Sequence, residues 1–131
     1  KLFWGGRGMF VFRPGFAKFY PNAASSDAST DLSGGIVNYP SLIADGSVVL
    51  VEGSLLANLK TKGTRSGIGT GGGKLFLVVA RNASMNDMVA IFQQLGATDA
   101  LNLDGGGSVA LYDGGYKVGP GRSLPNAVII K

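Results

Sequence analysis

The chain has 131 residues, 45% hydrophobic and 15% charged, the balance of a folded chain with one domain's core rather than of a disordered one. It contains no cysteine and no histidine, which excludes disulfides, thiolate metal sites, cysteine nucleophiles and the usual general base of neutral pH; acid–base work falls to carboxylates, Lys, Tyr or ordered water. The formal charge of +4 leans toward anionic partners such as phosphates or acidic glycans, with a solvated basic surface as the plain alternative, and without a dense Lys/Arg run nucleic acid is not expected.

Residues 1–20 mix Phe3, Trp4, Phe10, Phe12, Phe16, Phe19 and Tyr20 with Gly and Pro14, which suits short strands. Residues 21–35 are small and polar and read as a long loop. Two strand-like runs follow within residues 36–50, around the hairpin signal Asp45-Gly46. Residues 55–62 fit helix and strand equally.

Past the cluster Gly71-Gly72-Gly73, the run Leu75-Phe76-Leu77-Val78-Val79-Ala80 reads as a buried central strand. The clearest helix spans about residues 85–95. Ser84 and Asp87 form a capping-box pattern, and Gly96 is placed to end the helix. Met88, Ile91, Phe92 and Leu95 fall on one apolar face and are expected in the core. Residues 100–103 form a strand ending in Asp104-Gly105-Gly106-Gly107-Ser108, residues 109–112 another, Asp113-Gly114-Gly115 a turn, and Ala127-Val128-Ile129-Ile130 a final buried strand. Strand, helix and strand over residues 75–103 are compatible with a right-handed parallel crossover without requiring one. The fold class is α+β, a mixed β-sheet of short strands with one clear helix and Gly-rich active-site loops. Residues 1–131 are expected to form a single domain. No apolar run reaches the roughly 18 residues of a membrane span, and no signal peptide is visible in the given chain.

The segment from Asp104 to Ser108 is the most chemical part of the sequence. A carboxylate at the end of a buried strand precedes three glycines, whose backbone can turn sharply and approach a ligand closely. Their N–H groups can cradle an anion. A tight hairpin with Asp as turn-former explains the same string. No Gly-Lys-Ser/Thr follows, so it is not a P-loop, and no helix start follows, so it is not a dinucleotide fingerprint.

Taken together, Arg65-Ser66-Gly67-Ile68-Gly69, Asn102-Leu103-Asp104-Gly105-Gly106-Gly107-Ser108 and Gly121-Arg122-Ser123-Leu124-Pro125-Asn126-Ala127 resemble the phosphodiester glycosidase domain family, that of N-acetylglucosamine-1-phosphodiester α-N-acetylglucosaminidases. The match is strongest over residues 64–131. Asn38-Tyr39-Pro40-Ser41-Leu42 before Asp45-Gly46 also looks like a family segment. Gly5-Gly6-Arg7-Gly8-Met9-Phe10 is similar to the family's Asn-Gly-Gly-Phe-Phe segment without its Asn. The family's domain carries further strands ahead of this point, so the resemblance implies an N-terminally abbreviated domain.

The resemblance implies cleavage of a sugar-1-phosphodiester on the sugar side, with a carbohydrate or sugar-phosphate partner, outside the cytoplasm or in the cell envelope. Most glycosidases use two carboxylates. A phosphate leaves as a stabilised anion, so neutralising its charge matters more than protonating it, and arginine suits that role. Asp104 and Arg65 are the catalytic candidates, and Gly105, Gly106, Gly107, Ser108, Arg122 and Asn126 the substrate-binding ones. Arg65 in a surface ion pair, and Arg122 and Asn126 as pins of the last strand, are the structural alternatives. A second carboxylate could come from Asp45, Asp99 or Asp113, the last fitting a hairpin turn as well. The eight acidic residues form no cluster of ligand spacing, so no metal or other cofactor is assigned, although carboxylates and carbonyls suit Ca²⁺. Two other functions fit the scaffold: an inactive glycan-binding module, self-assembling through unpaired sheet edges, or a hydrolase of other cell-wall or exopolysaccharide linkages.

Overall fold

A computed structural model describes residues 7–24 and 31–131. Phe3, Trp4, Gly5 and Gly6 and the middle of the polar loop, residues 25–30, lie outside the described residues.

Strands β1 (Gly8–Arg13), β2 (Phe16–Tyr20) and β3 (Gly34–Asn38) form a three-stranded sheet in the order β2-β1-β3. A second, five-stranded sheet has the order β5-β4-β8-β6-β7, built from β4 (Ser41–Ala44), β5 (Ser47–Val48), β6 (Gly63–Gly71), β7 (Lys74–Ala83) and β8 (Asp99–Gly105). Helix α1 (Met85–Gln94) joins β7 to β8, and β9 (Leu111–Tyr112) pairs with β10 (Tyr116–Val118) around Asp113-Gly114-Gly115. The α+β class stands. The sheet is not mixed between neighbours, because every described pair is antiparallel. Strands β7 and β8 do run parallel to each other, but β6 lies between them.

The core lies on the two faces of the larger sheet. On one face Met85, Met88, Val89 and Phe92 of α1 meet Leu42, Ile43 and Ala100. On the other, Phe10 of β1 packs on Ile68 and Leu101. The period-2 alternation of β6 serves both layers: Ile68 faces the small sheet, while Gly67 and Gly69 face the helix. A Cβ at Gly67 or Gly69 would stand 2.8 Å from the Phe92 ring, so the bare backbone of β6 is the seat of that ring. The Asp45-Gly46 turn has positive φ at both residues, 48° and 77°, as a tight hairpin requires.

Other expectations change. The apolar run of β7 is an edge strand, not a central one. It is apolar throughout because both faces are covered: Phe76 and Val78 pack toward the helix, Leu75 and Leu77 toward the small sheet. Leu95 leaves the core, 45% exposed, because the chain turns off the helix at Gly96. Met85 and Val89 take that place on the buried face. Residues 55–62 hold a 3-10 turn at Ala57–Leu59 in an otherwise irregular loop. The final Ala127-Val128-Ile129-Ile130 is not a buried strand: it forms no ladder, and only Val128 packs against the core. Its apolar side chains alone do not supply the backbone partners a strand needs.

The capping box forms as expected. The Asp87 N–H donates to Ser84 Oγ at 3.1 Å and the Ser84 N–H to Asp87 Oδ2 at 2.8 Å. The Ser84 backbone, the Ser84 hydroxyl and Lys62 together hold the Asp87 carboxyl below its ordinary value. A depressed folded-state value gives stability that is present above the unfolded-state value and is lost as pH falls through the folded one. The destabilisation by Asp87→Asn should therefore be visible in urea denaturation at pH 7 and shrink as the pH is lowered into the acid range. A separate test addresses the Phe92 seat: Gly69→Val should lower stability by about 2 kcal/mol or more through overpacking. An unchanged urea midpoint would mean that the ring does not rest there.

Candidate active site

Strand β8 is the central strand of the five, and Asp104 sits near its end. Between Gly67↔Asn102 and Arg65↔Gly105 the ladder spends three steps on β8 and two on β6, a bulge at residues 103–104. Bulges re-aim side chains at the ends of sheets. Ser66 Oγ donates to the Asp104 carbonyl at 2.7 Å and fastens the bulge to β6. The carboxylate itself is exposed, and Asn38 Nδ2, at the end of β3, donates to its Oδ1 at 3.5 Å. Asn38 Oδ1 accepts the Tyr39 N–H at 2.8 Å, which fixes the amide with its NH2 toward Asp104.

Arg65 lies at the same level and is only 6% exposed. Its Nη2 donates to the carbonyls of Thr61 at 2.6 Å and Asn58 at 3.0 Å, and its Nε to that of Ala83 at 3.4 Å. The expected alternative of a surface ion pair does not hold, because its described partners are all carbonyls. Carbonyl dipoles solvate the guanidinium without cancelling its charge. Nη1 remains beside Gly105, where a Cβ would stand 3.1 Å from it.

A cavity of about 420 Å³ opens between these groups, and among the described residues its charged lining is Arg7, Lys62, Arg65 and Asp104. Three cations beside one carboxylate in that described lining suit an anion. Lys62 is also turned to Asp87, with Nζ 3.2 Å from Oδ2. Gly105 and Gly106 line the cavity, and Gly106 has φ of 60°, the left-handed conformation that suits glycine. Asn102 belongs to the wall as well, 2% exposed, with Nδ2 donating to the Tyr39 carbonyl at 2.9 Å. Its Oδ1 is buried without a hydrogen-bond partner, a state that costs about 1–3 kcal/mol.

Not every candidate gathers here. Gly107, Ser108, Arg122 and Asn126 are outside the cavity lining. Arg122 and Asn126 are exposed, on a segment that the Gly121 N–H fastens to the Gly107 carbonyl at 2.9 Å. None of the three candidate second carboxylates lines the cavity. Asp99 stands at the opposite end of β8, roughly 15 Å away by strand rise, where its Oδ1 accepts the Asp45 N–H at 3.0 Å. Asp113 is in the β9–β10 turn. Among the described residues no three His, Cys, Asp or Glu come together as a metal site would need, and no helix is long and apolar enough to cross a membrane.

The sequence model of the phosphodiester glycosidase family matches residues 12–131. The chain belongs to that family. Among solved structures, the catalytic domain of zebrafish N-acetylglucosamine-1-phosphodiester α-N-acetylglucosaminidase, auto-inhibited by its pro-peptide, is similar over 93% of this chain and 47% of its own, with a TM-score of 0.71 and 14% identity. A hypothetical protein from Synechocystis is similar over 86% of this chain and 30% of its own, with a TM-score of 0.57 and 21% identity. Both show the fold, and this chain spans less than half the length of either. No curated protein matches it.

In this chain of the phosphodiester glycosidase family, Arg7, Asn38, Lys62 and Asn102 join the cavity although the sequence assigned them no role. The sequence signal for Asn38 and Asn102 was their position in family-like segments, beside Tyr39 and Leu103-Asp104. Arg65 is a test of how the wall is held. Arg65→Lys keeps the charge but cannot span three carbonyls, and hydrogen bonds to a charged group are worth about 1.5–3 kcal/mol each. A loss of about 2 kcal/mol in urea denaturation is expected, with faster proteolysis within residues 57–62. Unchanged stability would mean the guanidinium does not hold this loop.

Proposed function

We propose that this domain is a hydrolase that cleaves a sugar-1-phosphodiester on its glycosidic side, in a glycan or cell-envelope polymer outside the cytoplasm. The observation that carries the reading is the cavity in which one carboxylate, Asp104, faces a cationic wall, in a chain of the phosphodiester glycosidase family. Asp104 stabilises or attacks the oxocarbenium-like centre, or activates the water that does so. Asn38 engages Oδ1, which leaves Oδ2 for that work. The departing phosphodiester group is already an anion, so the step needs positive potential more than a proton donor. Arg65 Nη1, Arg7 and the backbone at Gly105 and Gly106 supply it. With Nε and Nη2 of Arg65 held by carbonyls, that arginine offers its Nη1 edge and not a bidentate fork. Gly107, Ser108, Arg122 and Asn126 follow the glycine loop and are assigned to the outer part of the substrate.

Release of free sugar from an N-acetylglucosamine-1-phosphodiester tests this. Asp104→Asn should lower turnover by about 10²–10⁴-fold, the range for removing a positioned acid–base group, with folding intact, while Asp113→Asn leaves it unchanged. A folded chain that turns over no phosphodiester would sink the reading and favour a glycan-binding module on the same fold.

A further inference from the structure

Among the described residues, the one buried side-chain polar atom without a hydrogen-bond partner is Asn102 Oδ1. Its chemical identity is fixed by its surroundings. The other end of the amide faces the Tyr39 carbonyl at 2.9 Å, and a carbonyl only accepts, so that end is the NH2. What remains is an acceptor that demands a donor. A phosphodiester anion offers acceptors only and cannot meet that demand. A sugar hydroxyl, or the N–H of an acylamino sugar, can.

We propose that Asn102 is a specificity-determining residue that marks the sugar subsite: its Oδ1 accepts from an O–H or N–H of the sugar. The inference rests on the sugar-phosphodiester reading and gives it a direction. The sugar sits on the Asn102–Tyr39 side of the cavity and the phosphodiester on the side of Arg65, Gly105 and Gly106. Asp104, two residues beyond Asn102 on β8, then stands between them at the bond to be broken. Oδ1 is fully covered in the free chain, so the donor reaches it as the wall adjusts on binding, a side-chain movement common on complex formation. An acceptor left unpaired in the free state and paired only by substrate contributes to selection, because a ligand without the donor leaves it unpaired.

The test is binding of N-acetylglucosamine alone and of dimethyl phosphate alone, a phosphodiester anion without a donor, by NMR titration of the wild type and Asn102→Leu. Leu keeps the branching of Asn in a bulkier side chain and exchanges the unpaired Oδ1 for an unpaired Tyr39 carbonyl, so the thermal midpoint is measured beside each titration. If Leu does not fold there, Asn102→Ala serves. The expected result is sugar affinity at least 10-fold weaker and phosphate affinity within 2-fold. Unchanged sugar affinity overturns the assignment, and so does an equal loss for both ligands with a lowered midpoint, the sign of a structural role. A wild type that binds phosphate but not the sugar also overturns it while sparing the phosphate half of the reading. Sugar binding with the Asn102 loss but no phosphate binding keeps the subsite and sinks the phosphodiester reading. Binding of neither overturns both.

Discussion

The guanidinium of Arg65 is the interaction on which the site is built. It is a nearly buried cation solvated by three carbonyls from two segments of the chain, Asn58 and Thr61 in one and Ala83 in the other. A buried charge without such partners would cost several kcal/mol, so the irregular loop before β6 and the end of β7 are drawn around it. Both neighbours of β6 carry an extra residue at this level. Strand β8 is bulged at residues 103–104. Strand β7 is bulged at residues 81–82, where Asn82 has φ of 51°. The first bulge turns Asp104 to the cavity, and the second brings the Ala83 carbonyl to Arg65.

This arrangement separates two tasks that one arginine is often given together. Most of the guanidinium's donors hold protein, and its charge, solvated but not cancelled, acts on the cavity. The carboxylate is treated in the opposite way. Asp104 is exposed, with its backbone fixed by Ser66 and one oxygen held by Asn38 from the other sheet. A cation held rigidly by the fold and an anion left open to solvent suit the proposed step, in which charge is pulled apart across a glycosidic bond, because preorganised dipoles need no rearrangement as that charge develops.

The same logic separates stability from binding at Asn102. The neighbouring positions on β6 serve packing: Gly67, opposite Asn102 in the ladder, gives its space to Phe92. Asn102 itself keeps an unpaired acceptor in the protein interior. Exceptions of this kind to the pairing of buried polar groups are expected where a site is made.

The sequence by itself determined the elements whose signals are local. The helix with its capping box, the hairpin at Asp45-Gly46 and the strand running into Asp104 could be read because capping, turn chemistry and periodicity act between near neighbours. The strings around Arg65, Asp104 and Arg122 likewise pointed to the family. The tertiary structure alone decided the rest. It placed the apolar run of β7 at an edge, since coverage of both faces does not reveal sheet order. It withheld a partner from the last apolar segment, moved Asp99 to the far end of β8 and left Arg122 and Asn126 outside the cavity lining. It brought Asn38 to Asp104 from 66 residues away. Strand order, bulges and the solvation of a buried charge depend on which distant backbones meet, and no local pattern of residues encodes that.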